Sequence, residues 1–465
     1  MAVAAPALPV APGPRTWLPG GSFWEFRNNR LGFVTEMART YGDIVGVSFA
    51  RQRVFLVSKP EWIEDVLVVS AKKFAKGIAL ERARRLLGRG LLTNEGADHL
   101  KQRRTIQPLF HRQHVQGFAE AMVRHATRWA GSVQDGARLN VTSDMSALTL
   151  AIVGETLFSS NVQGQADEVR AALTDVVAGF DLLFVPMIGT LEQLPLPVFI
   201  RMKRARERLD RIIRTIIKER RAEEAEASSL HAHDLVSMLV AARDPENPTA
   251  SGMSDEQIRD EAMTIFLAGH ETTANAMAWT WHLLGSAPNA ERRLHEELDH
   301  VLGGRTPAAE DVPKLEWTRA IVSESMRLFP PAWTIGRRAI ERHVIGGYAV
   351  ERGDLVLVSQ YVAHRDPRWW ESPESFKPER WTGTPAPRPK FAYFPFGGGT
   401  RICIGESFAW TELILLLATI AQRIRLVPTD DPPPVPEPKI TLRPHGLFMR
   451  AVLRGATRAA DAYRA

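Results

Sequence analysis

The sequence predicts a mainly α protein with a small β-rich subdomain, and three observations carry that prediction. Apolar residues recur at helical spacing over long stretches, above all residues 116–227 and 254–284. Runs rich in β-formers gather mainly in residues 43–58 and 335–358. A glycine-rich loop, residues 396–405, leads straight into one more apolar helical stretch, residues 406–420. Across 465 residues, 45% are hydrophobic, enough to bury a large core. Lys+Arg 59 against Asp+Glu 53 leaves a net charge of +6, too mild to point to nucleic acid. With one cysteine, the chain can build neither an internal disulfide nor a zinc cage, and its composition fits the reducing cytoplasm.

Residues 1–20 form an Ala- and Pro-rich arm, where Pro6, Pro9, Pro12 and Pro14 predict an extended, mobile segment. The arm has no basic start and no unbroken apolar run, so neither a signal peptide nor a membrane anchor is expected. Residues 21–465 are expected to form a single domain. Residues 43–49 and 53–58 read as a hairpin around Ala50-Arg51-Gln52, residues 61–69 as a helix, and 74–92, with Gly77, Gly88 and Gly90, as a loop. The helix after Asn94 sets His99 and Arg103 on one face, which by itself means only a solvated basic surface. The helical region 116–227 is broken by Pro186, Gly189, Pro195 and Pro197. Its apolar part, with Phe180, Phe184 and Met187, reads mostly as core, and His231 and His233 in a polar loop carry no metal argument.

Ser254-Asp255-Glu256-Gln257 is a capping box that opens the longest helix. Its middle reads Ala268-Gly269-His270-Glu271-Thr272-Thr273, between Ile265-Phe266-Leu267 and Ala276-Met277-Ala278. A polar surface stripe fits such flanks poorly. Glycine inside a helix costs roughly 0.5–1 kcal/mol against alanine, so Gly269 requires a reason, and close approach to a flat ligand supplies one. Thr272 can bond back to the carbonyl of Ala268. Thr264, Ala268 and Thr272, spaced by four, share one face. Charged helices follow at 289–302 and 314–328, and the second carries Glu324 and Arg327, a pair of little weight alone. Pro330-Pro331 stops it, β-type runs occupy 333–358, and residues 439–443 read as a terminal strand.

Cys403 lies in Phe396-Gly397-Gly398-Gly399-Thr400-Arg401-Ile402-Cys403-Ile404-Gly405. A lone cysteine is most often a buried small hydrophobe. Here three glycines permit positive φ and close approach, loop N–H groups can turn toward a thiolate, Arg401 adds positive charge, and a helix start follows. Such a site suits an axial thiolate on haem iron. A nucleophilic cysteine would need a histidine base, and none lies in the loop.

This run resembles the haem-binding signature of the cytochrome P-450 superfamily, with every fixed position filled, and the chain looks like a soluble, bacterial-type member. The resemblance implies haem b (iron protoporphyrin IX) between the long central helix and the cysteine loop, with helical parts mainly at 94–330 and 396–425. Cys403 would be the iron ligand, with Arg401, Phe396, Gly397, Gly405 and Ala268 beside the haem. His99, Arg103 and Arg337 would meet the propionates, with Arg338 the rival of Arg337 because strand neighbours face opposite sides. Residues 268–272 resemble the oxygen-activation motif, with Thr272 acting at the oxygen and Glu271 relaying protons. Thr264, Leu267, Ala268, Trp333 and Ile335 would face substrate, beneath a wall at 74–92 and a roof at 180–200. Glu324, Arg327 and Arg380 would form a structural charge network. Lys101, Arg104 and Arg112 would steer a redox protein to the proximal side.

The activity so implied is a monooxygenase inserting one atom of O2 into an apolar substrate of lipid, terpenoid or comparable size. No flavin motif is present, and one cysteine cannot hold an iron–sulfur cluster. Electrons would therefore come from NAD(P)H through a separate ferredoxin or flavodoxin and its reductase. Rival readings are a haem-thiolate peroxygenase or isomerase, in which the Glu–Thr pair is often altered, and a haem sensor or carrier, which needs no proton relay. A cysteine hydrolase would be colourless.

Overall fold

Twelve strands lie among the described residues: β1 (Ile44–Phe49), β2 (Gln52–Val57), β3 (Phe74–Lys76), β4 (Arg138–Asn140), β5 (Ile335–Ala339), β6 (His343–Ile345), β7 (Tyr348–Val350), β8 (Leu355–Val358), β9 (Ile424–Pro428), β10 (Val435–Pro438), β11 (Leu442–His445) and β12 (Phe448–Leu453). The computed structural model describes residues 8–15, 20–158, 172, 196–225, 234–247, 249, 251–384 and 386–455. The chain divides into two compact units. The first comprises Met1–Glu81, Arg327–Ser375 and Ala386–Cys403, and the second Arg82–Met326, Phe376–Pro385 and Ile404–Ala465.

The first unit holds a five-stranded sheet in the order β1-β2-β8-β5-β3. The expected hairpin is present, with Ala50 at φ 56 in its turn. β2 then pairs in parallel with β8, Val54 opposite Leu355, which unites the two β-rich stretches of the sequence. Val54, Val57, Val356 and Val358 are fully buried, as a sheet covered on its faces requires. The arm departs from expectation. The Pro12 carbonyl accepts a hydrogen bond from the Gly46 N–H at 2.8 Å, so this part of the arm is docked on the edge strand β1. Proline lacks an N–H but keeps its carbonyl, and that is all the edge asks of it. A Cβ on Gly13 would stand 2.0 Å from the Gly46 oxygen, so only glycine allows the approach.

Residues 74–92 also differ from a loop. β3 is followed by a helix, Ile78–Leu87, because Gly77 and Gly88 bracket that segment and do not interrupt it. Gly88, at φ +77, ends it. The expected helix at 61–69 is α-helical over Pro60–Glu64 and π-helical over Asp65–Val69.

The second unit is built around the central helix, Asp255–Gly285. Its capping box is formed in full: the Ser254 hydroxyl accepts from Gln257 N, and the Gln257 side chain accepts from Ser254 N. The central helix packs on the helix Val141–Phe158, and the C-terminal helix, Glu406–Ala421, packs on Arg112–Ser132. Gly285 lets the end of the central helix meet β9, where a Cβ would come 2.6 Å from the Leu426 carbonyl. The sheet β4-β12-β9 and the hairpin β10–β11 complete the unit. Of the helical region 116–227, the helix Pro197–Ala225 is the third described piece, while Phe180, Phe184, Met187, His231 and His233 lie outside the described residues. No described helix is long and apolar enough to cross a membrane.

Candidate active site

In the first unit the cysteine loop is fixed by its backbone. Gly397 and Gly399 take φ +76 and +68, and a Cβ on Gly399 would lie 2.1 Å from the Leu67 carbonyl. The Cys403 N–H donates to the Phe396 carbonyl at 2.9 Å, drawing the loop closed across its own ends. Arg401 donates to the carbonyls of Ala71, at 3.3 Å, and Phe74, at 3.0 Å, so it anchors the loop as well as placing charge near the sulfur. His364 accepts from Phe394 N at 2.9 Å and steadies the approach to the loop. The result is an exposed thiol on a tightly held loop. A core cysteine would be buried, whereas an exposed sulfur on a rigid support is what a metal-ligating thiolate requires. Gly405 directly precedes the helix Glu406–Ala421, where it takes the cap position.

The central helix, in the second unit, is buried at Phe266–Leu267 and again from Thr273 through Trp281. Between those runs Ala268 is exposed, and Gly269, Glu271 and Thr272 are half-buried. The Thr272 hydroxyl donates to the Ala268 carbonyl at 2.7 Å, as the sequence suggested. Such an open face in the middle of a core helix, carrying an acid and an alcohol, fits a flat cofactor, and the exposed thiol of the first unit is by its own chemistry a fitting source of a haem thiolate. Gly269 also faces a neighbouring helix. A Cβ there would come 3.3 Å from Val153, so the glycine serves the close packing of two helices. His270 bonds Ser146 Oγ at 2.9 Å, and its carbonyl accepts from Thr149 Oγ1 at 3.1 Å, which commits it to that same helix. Glu271 accepts a hydrogen bond from the Thr441 hydroxyl at 2.7 Å.

His99 is buried and Arg103 half-buried on the helix Gly96–Ile106. Arg337 is buried on β5 and donates to the Gly336 carbonyl at 3.1 Å. Arg338, on the other face of the strand, is committed to Glu81 at 3.0 Å. Of the residues expected to face substrate, Ala268 is exposed and Ile335 half-buried, its Cδ1 lying 3.4 Å from where a Gly397 Cβ would be. Leu267 belongs to the core of the second unit. Trp333 is buried in the first, its ring over Phe26 at 6.5 Å. Thr264 is buried against Gly90, where a Cβ would stand 2.3 Å from its hydroxyl.

That last contact belongs to a clamp that no local motif announces. Arg89 N donates to Asp260 at 2.6 Å and Leu91 N to Glu261 at 2.8 Å, so two acids on the central helix hold residues 88–91. Glu324 and Arg327 of the expected charge network are each held by several partners. Glu324 accepts from Arg380 at 3.1 Å, Lys377 N at 3.0 Å and Trp381 at 2.9 Å. Arg327 donates to the carbonyls of His364, Pro373 and Ser375. Both are fully buried, and such partners are what a buried charge needs. Lys101 and Arg112 are exposed, whereas Arg104 is spent on ion pairs with Asp244 at 2.8 Å and Glu246 at 2.7 Å.

The chain matches the cytochrome P450 family over residues 11–450. It is 37% identical over 434 residues to the cyclooctat-9-en-7-ol 5-monooxygenase of Streptomyces melanosporofaciens, covering 91% of this chain and 93% of that protein. It is 39% identical to cyclooctatin synthase from the same organism, with 86% and 87% covered. It is 30% identical to the pentalenene oxygenase of Streptomyces avermitilis, with 89% and 91% covered. A match that runs the length of both units, through the exposed cysteine and the opened helix alike, makes this chain a cytochrome P450: a haem b monooxygenase that uses O2 and draws electrons from redox partners.

Proposed function

We propose that this P450 oxygenates a cyclic terpenoid, with Cys403 as the iron ligand and Glu271 and Thr272 as the proton-handling pair. The observation that carries the reading is the exposed Ala268 between two buried runs of the central helix, with Thr272 bonded to its carbonyl and Glu271 alongside. Haem bound through a thiolate supplies the iron at which O2 is reduced and cleaved. The protein's own part is to hold that thiolate on a rigid loop, orient one hydroxyl, and deliver protons on demand. The Thr272 side chain keeps its oxygen on the open face through the bond to Ala268. Glu271, partly solvent-accessible, is suited to pass protons inward. Arg337 is the better propionate partner, because Arg338 is engaged by Glu81. The relatives named for cyclooctat-9-en-7-ol and pentalenene favour an apolar ring system over a linear lipid. We assign electron delivery to an acidic ferredoxin or flavodoxin, with NAD(P)H and a reductase behind it, docking near the exposed Lys101 and Arg112. A cytoplasmic location accords with the single cysteine.

The test uses Thr272→Ala with cyclooctat-9-en-7-ol and pentalenene as probes. At least one probe should give a low-to-high-spin shift in the wild type and the same shift in the variant. Product formed per NAD(P)H consumed should fall by about tenfold or more in the variant, with peroxide replacing product. Coupling at the wild-type level would remove Thr272 from oxygen activation. The absence of a shift with both probes would remove the substrate assignment.

A further inference from the structure

Three residues of the central helix spaced by four, Glu271, Asn275 and Trp279, grip one turn of chain. Trp279 Nε1 donates to the Leu442 carbonyl at 3.0 Å, and Asn275 Nδ2 donates to the Thr441 hydroxyl at 3.0 Å. The Thr441 hydroxyl donates to Glu271 Oε1 at 2.7 Å. Thr441 is buried at the tip between β10 and β11, where its carbonyl accepts from Lys439 N at 3.1 Å. The hairpin tip is thus pinned to the same helical stripe that carries the acid.

The direction of these bonds is fixed by chemistry. An amide NH2 only donates, so the Asn275 bond occupies a lone pair of the Thr441 oxygen. The one hydroxyl proton is then left to point at Glu271. Every hydrogen in the row Asn275–Thr441–Glu271 is aimed at the carboxylate. The row ends in an amide, which does not release a proton near neutrality, so it holds the acid in place and does not feed it. Protons must reach Glu271 by another side.

We propose that Thr441 is a positioning residue for Glu271: with its hydroxyl aimed by Asn275, it gives the carboxylate one preset orientation beside Thr272, ready to take up and hand on a proton. The inference rests on the role given to Glu271 above. It adds a requirement on a residue 170 positions away in sequence. A hydrogen bond to a charged group is short and strong, and inside a protein it fixes the rotamer of the side chain that accepts it.

The experiment compares Thr441→Val, Thr441→Ser, Asn275→Ala and Glu271→Gln in the haem-loaded enzyme. Infrared difference spectra against E271Q identify the Glu271 carboxylate band without turnover. That band should shift in T441V, return in T441S, and broaden in N275A, where the hydroxyl is present but no longer aimed. Product per NAD(P)H, with cyclooctat-9-en-7-ol or pentalenene as probe, should fall in T441V by about tenfold, the equivalent of one hydrogen bond to a charged group. T441S should recover it and N275A should lose less. A band and a coupling ratio unchanged in T441V, with E271Q uncoupled, overturn the proposal alone. A fully coupled E271Q overturns the role of Glu271 and the proposal with it. Because T441S keeps the hydroxyl and differs by one methyl group, its recovery separates positioning from mere packing of the tip.

Discussion

Glu412→Gln should make the protein more stable as pH rises, by an amount the structure fixes. Glu412 sits on the helix Glu406–Ala421 with no exposed surface, flanked by the buried Leu413, Leu415 and Leu416. Neither carboxyl oxygen makes a well-formed hydrogen bond. Burial pushes the group up from an ordinary 4.5 to about 8, and the Thr273 hydroxyl offsets only part of this. At pH 7 the folded chain therefore holds a proton there that the unfolded chain has released. An acid with a raised folded pKa imposes no penalty below its unfolded value, a growing penalty between the two values, and a constant one above the folded value. The interval from 4.5 to pH 7, at about 1.4 kcal/mol per unit, gives an upper figure of about 3 kcal/mol. Glutamine has the same shape and no titration, so E412Q and the wild type should be nearly matched at pH 4.5–5. The variant should lead by as much as about 3 kcal/mol at pH 7, and the gap should stop growing above pH 8. Urea unfolding of the haem-loaded protein, followed by circular dichroism and the Soret band, measures the gap at each pH. A difference between the two proteins that is flat from pH 5 to 8 would refute the reasoning, because it would mean that Glu412 titrates as it does in water.

Two further outcomes follow from the exposed residues. Ala268→Phe has room at an exposed position and should fold, but it should weaken the substrate-induced spin shift by about tenfold or more, since a packed site resists added volume by about 1–3 kcal/mol. An unaltered shift would place the substrate elsewhere. Charge reversal at exposed Arg112 should slow the first electron transfer several-fold at low salt, and the loss should disappear near 1 M salt, where the screening length is about 3 Å. Stopped-flow reduction at two ionic strengths decides this, and indifference to both salt and R112E excludes that face.

What could be read beforehand was what is written locally. The glycine turns of the cysteine loop, the capping box at Ser254 and the bond from Thr272 to Ala268 each involve residues within ten positions, and each has the local form expected. The bond from Thr441 to Glu271 spans 170 positions and that from Arg89 to Asp260 spans 171, with no periodicity to announce either. Orientation was equally hidden. Spacing by four puts Thr264 and Ala268 on one helical stripe, but Gly90 covers the first and not the second. The cost of Gly269 in a helix is legible in the sequence, but its contact with Val153 is not, because Val153 comes from a separate helix. Arg104 reads as surface charge because its partner Asp244 lies 140 positions further along the chain, with Glu246 beside it.

The docked arm has a practical side. β1 is the outermost strand of its sheet, and the Pro12 carbonyl takes up an N–H that would otherwise be offered to any passing chain. Expression work often trims proline-rich leaders as dispensable. Here trimming would bare a strand edge beside buried Val45 and Val47, the kind of template on which misassembly begins. Deleting residues 8–15 should therefore raise self-association, and size-exclusion chromatography of the trimmed and full chains checks it: equal profiles would refute the idea.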